Sequence, residues 1–186
     1  MQIDARLRFQ LKGKHSLFRN LEPSDISREY LKSLRQAGTY LSNTGPEITR
    51  HQQSEYLRAI LRSENDTIFG LFVEKRLIGT VGCQNISRSS EATLGLLIFP
   101  ETIRNKGYGS TAIWCACRLL NADRGVYSFR AGVSADNLAS KRLFHRSGFR
   151  ETKHIENENK VVYRALISDV TQPSQVESPK IERFHD

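Results

Sequence analysis

Apolar and polar positions along the chain change period several times, and each change marks a predicted element. His15 to Leu21 alternates and reads as a first strand, while residues 1–14 are polar, basic and weakly patterned, an N-terminal extension. Pro23-Ser24-Asp25 opens a helix with Ser24 or Ser27 as N-cap, and Ile26, Tyr30, Leu31 and Leu34 share its apolar face. Gly38 ends that helix, and Ser42 to Pro46 is a loop by composition. Thr49 and Gln52 have capping-box spacing ahead of a second stripe, Tyr56, Leu57, Ile60 and Leu61.

Thr67–Glu74 and Leu77–Cys83 are two apolar runs that predict an antiparallel hairpin turning at Lys75-Arg76. A polar connection from Ile86 to Ser90 leads to a strand from Ala92 to Phe99. Gly107 to Asn121 is a helix whose inner face holds Ile113, Trp114, Cys117, Leu119 and Leu120. Val126–Val133 is a strand, and Asp136–Ser147 a helix closed by Gly148, the residue type favoured just past a helix C-terminus. Phe149–His154 and Lys160–Ile167 form a last hairpin across Asn157-Glu158-Asn159. The order is β-α-α-β-β-β-α-β-α-β-β, one domain over residues 15–167, without internal repeats. Residues 168–186 are polar, hold two prolines and lack periodicity, so they are expected to be a disordered tail.

Composition narrows the class. At 186 residues, 38% hydrophobic and 26% charged, the chain can bury a core as one soluble globular domain. No apolar run approaches the length that crosses a bilayer, and the N-terminus lacks a signal-type segment. Cys83, Cys115 and Cys117 are odd in number, and neighbours two apart point to different sides of a helix, so neither a disulfide framework nor a metal pair is expected. A cytoplasmic, metal-free protein with small buried thiols fits this usage. The net charge of +8 favours anionic partners, but the Lys and Arg residues are scattered and read mainly as a solvated surface.

The chemistry concentrates in Leu94-Gly-Leu-Leu-Ile-Phe-Pro-Glu-Thr-Ile-Arg104-Asn-Lys-Gly-Tyr-Gly-Ser110. An apolar run breaks at Pro100, passes a glycine turn and opens into a helix. Gly107 and Gly109 let the backbone turn and approach a ligand closely. The first N–H groups of a helix have no internal partner and its dipole favours negative charge there, so the stretch is a cradle for a pyrophosphate. Arg104 and Lys106 add charge at its rim.

About thirty residues on stands Gly132-Val-Ser-Ala-Asp-Asn137-Leu-Ala-Ser140-Lys-Arg-Leu143-Phe144-His-Arg-Ser-Gly148-Phe149. The two stretches in this order resemble the GNAT superfamily of acyl-CoA-dependent N-acyltransferases, most closely the branch containing ribosomal-protein N-terminal acetyltransferases, with sugar-amine acetyltransferases much alike. The resemblance runs from His15 to Ile167. It implies an α/β (α+β) fold with a central mixed, mostly antiparallel sheet of six to seven strands. Helices would cover both faces, and two strands would splay for coenzyme A. It implies acetyl-CoA as co-substrate, no metal, and direct transfer to a primary amine, a protein N-terminus or an amino sugar foremost. Such a reading needs no membrane or nucleic-acid partner and is compatible with a homodimer.

By the same resemblance the pyrophosphate lies against Arg104, Asn105, Lys106, Gly107, Tyr108, Gly109 and Ser110. The pantetheine arm runs along Leu96, Leu97 and Ile98, and Asn137, Ser140 and Phe144 support it, with Arg142 and Arg146 within reach of coenzyme phosphate. The acceptor site falls near the first two helices, where Tyr40, His51 and Tyr56 are candidates. Two departures stand out. Phe144 occupies the place where many members carry a Tyr that protonates the leaving thiolate, and Thr93 the place of a common Glu base. Glu91, then Glu101 and His145, are the remaining candidate bases. These departures motivate an alternative, a non-catalytic acyl-CoA-binding module, and the net charge a third, a ribosome- or nucleic-acid-associated protein. Against the third, no helix-turn-helix, RNA-recognition aromatic motif or zinc-ligand spacing is present.

Overall fold

A computed structural model describes residues 3–37, 47–86, 90–99 and 106–184. Strands β1 (Ala5–Leu11) and β2 (Lys14–Asn20) form a hairpin, followed by helices α1 (Arg28–Gln36) and α2 (Arg50–Arg62). Strands β3 (Thr67–Val73), β4 (Arg76–Gln84) and β5 (Glu91–Ile98) make a meander that leads to α3 (Tyr108–Arg124). Then come β6 (Ser128–Ser134), α4 (Leu138–Arg146), β7 (Arg150–Ile155), β8 (Lys160–Leu166) and β9 (Val176–Arg183). Among the described residues the strands form one nine-stranded sheet, ordered β7-β8-β6-β5-β4-β3-β2-β1-β9. Its neighbours are antiparallel except β5 and β6.

The sheet separates two apolar clusters. On one face α3 contributes Ile113, Trp114, Cys115, Cys117, Leu119 and Leu120, packed with Leu7, Phe69, Val81, Leu94 and Phe129. Each large aliphatic or aromatic side chain fully buried there is worth roughly 1.5–3 kcal/mol of transfer free energy. On the other face α1 and α2 place Tyr30, Leu34 and Leu57 against Leu21, Phe72 and Phe99. Burial pushes the thiols of Cys83, Cys115 and Cys117 well above their ordinary range, so the three cysteines act as small hydrophobes.

Local chemistry explains most boundaries. Ser27 is the cap of α1, its Oγ accepting from Tyr30 N–H at 3.0 Å. Pro23–Asp25 forms a separate 3₁₀ turn ahead of it. Thr49 and Gln52 make the expected capping box on α2. Gly125 and Gly148, both left-handed at φ +66° and +92°, follow α3 and α4. The β3–β4 hairpin turns at Glu74-Lys75, both at positive φ, one residue earlier than the pattern suggested. Two positive φ values in succession match the twist of a tight hairpin.

Both chain ends depart from expectation. The 1–14 extension holds β1, in which Ala5, Leu7, Phe9 and Leu11 are buried while Arg6, Arg8 and Gln10 point outward. The 168–186 tail, expected to be disordered, supplies β9, which pairs with β1 from Ala5↔Arg183 to Leu11↔Val176. Glu182 accepts from Arg6 and Arg8 at 2.8 and 2.7 Å, and Val176 is buried. Main-chain pairing with β1 orders a segment whose own side chains carry little apolar pattern. The sheet therefore has nine strands rather than six or seven.

Candidate active site

The strand–turn–helix stretch is built as a cradle. Gly107 sits at φ +86° in the left-handed region and caps α3, whose hydrogen-bond ladder begins with Thr111 N–H to Gly107 O at 3.1 Å. The N–H groups of Tyr108, Gly109 and Ser110 precede that ladder and can serve an anion. Lys106, exposed at this end, adds positive charge. A Cβ on Gly109 would lie 2.9 Å from Leu143 Cδ2 and 3.4 Å from Leu96 Cδ2. The glycine is thus also what lets α4 and β5 close onto the first turn of α3. Arg104, Asn105 and Glu101 lie outside the described residues.

Beside this turn two strands part. β5 pairs with β6 only over Glu91↔Ser128, Ala92↔Phe129 and Thr93↔Arg130, although both strands continue. Ser128 N–H donates to Ser90 O, and on the other edge Phe99 N–H donates to Ile78 O. Because backbone groups alternate sides along a strand, even-numbered Leu94, Leu96 and Ile98 present theirs to the opening. Leu97 pairs with Thr80 on β4 and its side chain joins the α1–α2 cluster, so the expected run Leu96–Ile98 narrows to Leu96 and Ile98. An extended arm with amide groups can lie in such an opening as a strand does.

Helix α4 closes the opening from the α3 side. Asn137 Oδ1 caps it by accepting from Ser140 N–H at 3.1 Å, which leaves its amide Nδ2 to donate to a ligand. Phe144 is 4% exposed and lies in the core, edge-on to Phe149 at 5.2 Å and stacked with Tyr163 at 6.2 Å. Tyr163 donates to Glu151 at 3.0 Å, and burial followed by the Glu151 interaction raises its phenol. Arg142, His145 and Arg146 lie on the outer side of α4, where with Leu138 and Lys141 they line a shallow depression. That position takes His145 away from the strand opening.

The candidate bases and acceptor contacts divide. Glu91 lies on the sheet face away from α3, with Oε1 3.4 Å from Arg130 Nη1 and Oε2 3.5 Å from Arg164 Nη2. Two guanidiniums thus share its carboxylate. Thr93 stands between Gln84 and Arg130 in the next row of the sheet. His51 is exposed on the first turn of α2, and Tyr56 is 39% exposed, its phenol raised by partial burial and then by Asp66. Tyr40 lies outside the described residues. Under α1 and α2 the Tyr30 hydroxyl accepts from Gln53 Nε2 at 2.6 Å, with its ring 5.5 Å from that of Phe99 at the end of β5. Burial raises that phenol above its ordinary range.

One residue of this site escaped the sequence. Gln175, just before β9, donates from Nε2 to Gly107 O at 3.1 Å and to Thr111 Oγ1 at 3.4 Å, while Lys12 N–H donates to its main-chain carbonyl at 3.2 Å. A carboxamide side chain thereby fixes the carbonyl that starts the α3 ladder. Gln175→Ala is expected to raise the Kd for acetyl-CoA by about three- to tenfold, the worth of one such hydrogen bond, with kcat retained. Titration calorimetry beside steady-state rates checks the split. Equal loss in both, or in neither, would remove the positioning role.

Among the described residues no cluster of His, Cys, Asp and Glu is arranged to hold a metal, and no helix is long and apolar enough to cross a membrane. Over residues 16–150 the sequence matches the family described as acetyltransferase (GNAT) domain. No protein of curated function matches it. Among solved structures it is similar to RimJ of Mycobacterium smegmatis, determined in complex with CoA-disulfide, at 12% identity and a TM-score of 0.77 over 94% of each chain. It is similar also to the spermidine N-acetyltransferase of Vibrio cholerae in complex with CoA and spermine, at 22% identity and a TM-score of 0.70 over 83% of this chain and 96% of that one. The GNAT domain of S. lividans PAT aligns at 14% identity with a TM-score of 0.69, over 86% and 95%. At these identities the likeness is one of fold.

Proposed function

The chain belongs to the GNAT acetyltransferase family, acetyl-CoA-dependent N-acetyltransferases, and from that premise we propose that the amine it acetylates is a protein N-terminus or an amino sugar. The observation that carries the catalytic reading is the opening between β5 and β6 beside a glycine-capped helix start. Acetyl-CoA supplies an acetyl group already activated as a thioester. The residues fit it: Gly107, Tyr108, Gly109 and Ser110 offer N–H groups to the pyrophosphate, and Lys106 neutralises charge at the rim. Leu96 and Ile98 hold the pantetheine arm through their backbone, and an N–H there also polarises the thioester carbonyl. Asn137 Nδ2 and Ser140 orient the same arm from α4. Bringing the amine to that carbonyl supplies much of the rate through positioning, so the reaction needs no dedicated strong base.

Acetyl-CoA is expected to raise the thermal midpoint, by about 2.7 kcal/mol of stabilisation at a hundredfold excess over Kd. Thiol release in the presence of peptide N-termini and amino sugars then tests transfer. Binding with no turnover of any amine would support the non-catalytic binding module instead. Absence of binding at millimolar acetyl-CoA would remove the coenzyme assignment.

A further inference from the structure

The sheet face opposite α3 and α4 carries a row of like charges. Register places Thr93, Arg130, Arg164 and Arg150 side by side on β5, β6, β8 and β7. Neighbours in such a row have Cβ atoms about 5 Å apart, and like charges directly opposite are destabilising. Among the described residues one carboxylate, Glu91, answers this row, and its contacts of 3.4 and 3.5 Å are longer than a close charged pair. The Arg130 and Arg164 side chains are 41% and 51% exposed, and Arg150 is exposed as well. The next row adds Lys153 beside Val162 and Gly132. Helices α1 and α2 pack on residues of β2 to β5, and a Cβ added at Gly95 or Gly132 would meet nothing within 4 Å. Among the described residues the face is uncovered and carries an excess of positive charge.

Its place in the fold gives this charge a use. Thr93↔Arg130 is the last pair before β5 and β6 part, so the row borders the apex of the opening. Helices α3 and α4 occupy one face, which leaves the amine to meet the thioester from the other. We infer that the acceptor is an anionic amine, with a carboxylate or phosphate close to its amino group held by Arg130, Arg164 and Arg150. This rests on the amine-acetyltransferase reading above and selects within it. It disfavours polyamines, which carry only positive charge. The same guanidiniums destabilise a nearby ammonium and so favour the neutral, nucleophilic amine. The row thereby eases deprotonation where no side chain stands as an assigned base.

Four probes test this with acetyl-CoA: an N-terminal Ser-Asp-Glu peptide, a Ser-Lys-Arg peptide, a uridine-diphosphate amino sugar, and spermidine. At least one anionic probe is expected to exceed both cationic ones in kcat/KM by about tenfold or more, the worth of one charge-assisted hydrogen bond. Which anionic probe leads tells a peptide carboxylate from a nucleotide phosphate. The Arg130→Gln/Arg164→Gln protein should lose that preference through KM, with its Kd for acetyl-CoA unchanged, and Arg164→Lys should keep part of it. Preference for spermidine or Ser-Lys-Arg would overturn the inference while leaving the transferase reading intact, and so would an anionic preference untouched by the arginine changes. Coenzyme binding without turnover of any probe would overturn the transferase reading and this inference with it.

Discussion

Gly107→Val is expected to weaken acetyl-CoA binding by about tenfold or more and to lower thermal stability in the same protein, because holding a non-glycine residue in a disfavoured backbone region costs on the order of 1–3 kcal/mol. Gly107 sits at φ +86°, a region closed to a β-branched residue without strain. A Cβ there would also lie 1.9 Å from Gln175 Nε2, so the carboxamide must leave the carbonyl it now holds. Either adjustment moves the N–H groups of Tyr108, Gly109 and Ser110, the ones we propose for the coenzyme pyrophosphate. Calorimetry with acetyl-CoA and a melting curve read the two effects separately. Unchanged affinity in a folded Gly107→Val protein would reduce the loop to a turn.

The second large effect belongs to Phe144. Phe144→Ala removes a ring packed on Phe149 and Tyr163, and truncation at such a site typically costs about 3–5 kcal/mol. Helix α4 would then lose its seat on β7 and β8. Phe144→Tyr asks a different question of the same place. If the parent lacked a catalytic acid it needs, a phenol here would raise kcat severalhundredfold. Phe144 is 4% exposed and lies in the core, so the structure assigns it packing. A thiol with a pKa near that of cysteine, roughly 8.5, is a tolerable leaving group without a donated proton. Phe144→Tyr is therefore expected to keep kcat within about tenfold, a barrier change of roughly 1.4 kcal/mol, and to lose some stability where its hydroxyl finds no partner. Rates on a genuine acceptor and a denaturant titration decide between the two accounts.

The glycine turn was legible in the sequence because its backbone demands glycine: a left-handed residue at a helix start leaves few alternatives to Gly107. The α1 and α2 caps were legible for a similar reason, since Ser27 and Thr49 satisfy N–H groups within three residues. What failed to show was whatever depends on distant partners. Gln175 touches Gly107 across 68 positions, and no local pattern announces it. Glu91 is a candidate base two residues before Thr93 on the same side of its strand, but nothing local shows that Arg130 and Arg164 share its carboxylate from two other strands. β1 is a different case. Ala5, Leu7, Phe9 and Leu11 alternate cleanly, but the arginines between them made the segment look merely basic. β9 offers only Val176 and Ile181 as inward signals, and its order comes from the main chain of β1.

The β1–β9 pairing also sets a sequence of events in time. Arg6 finds its carboxylate partner 176 positions downstream, so that ladder is among the least local contacts in the molecule. Closing so long a loop is slow compared with forming a hairpin. During synthesis β1 can zip onto β2 across Lys12-Gly13, but its outer edge waits for β9. An unpaired edge strand is a template for another chain. Arg6 and Arg8 put two like charges on that edge strand, the kind of residue that discourages such pairing, until Glu182 arrives to pair with both.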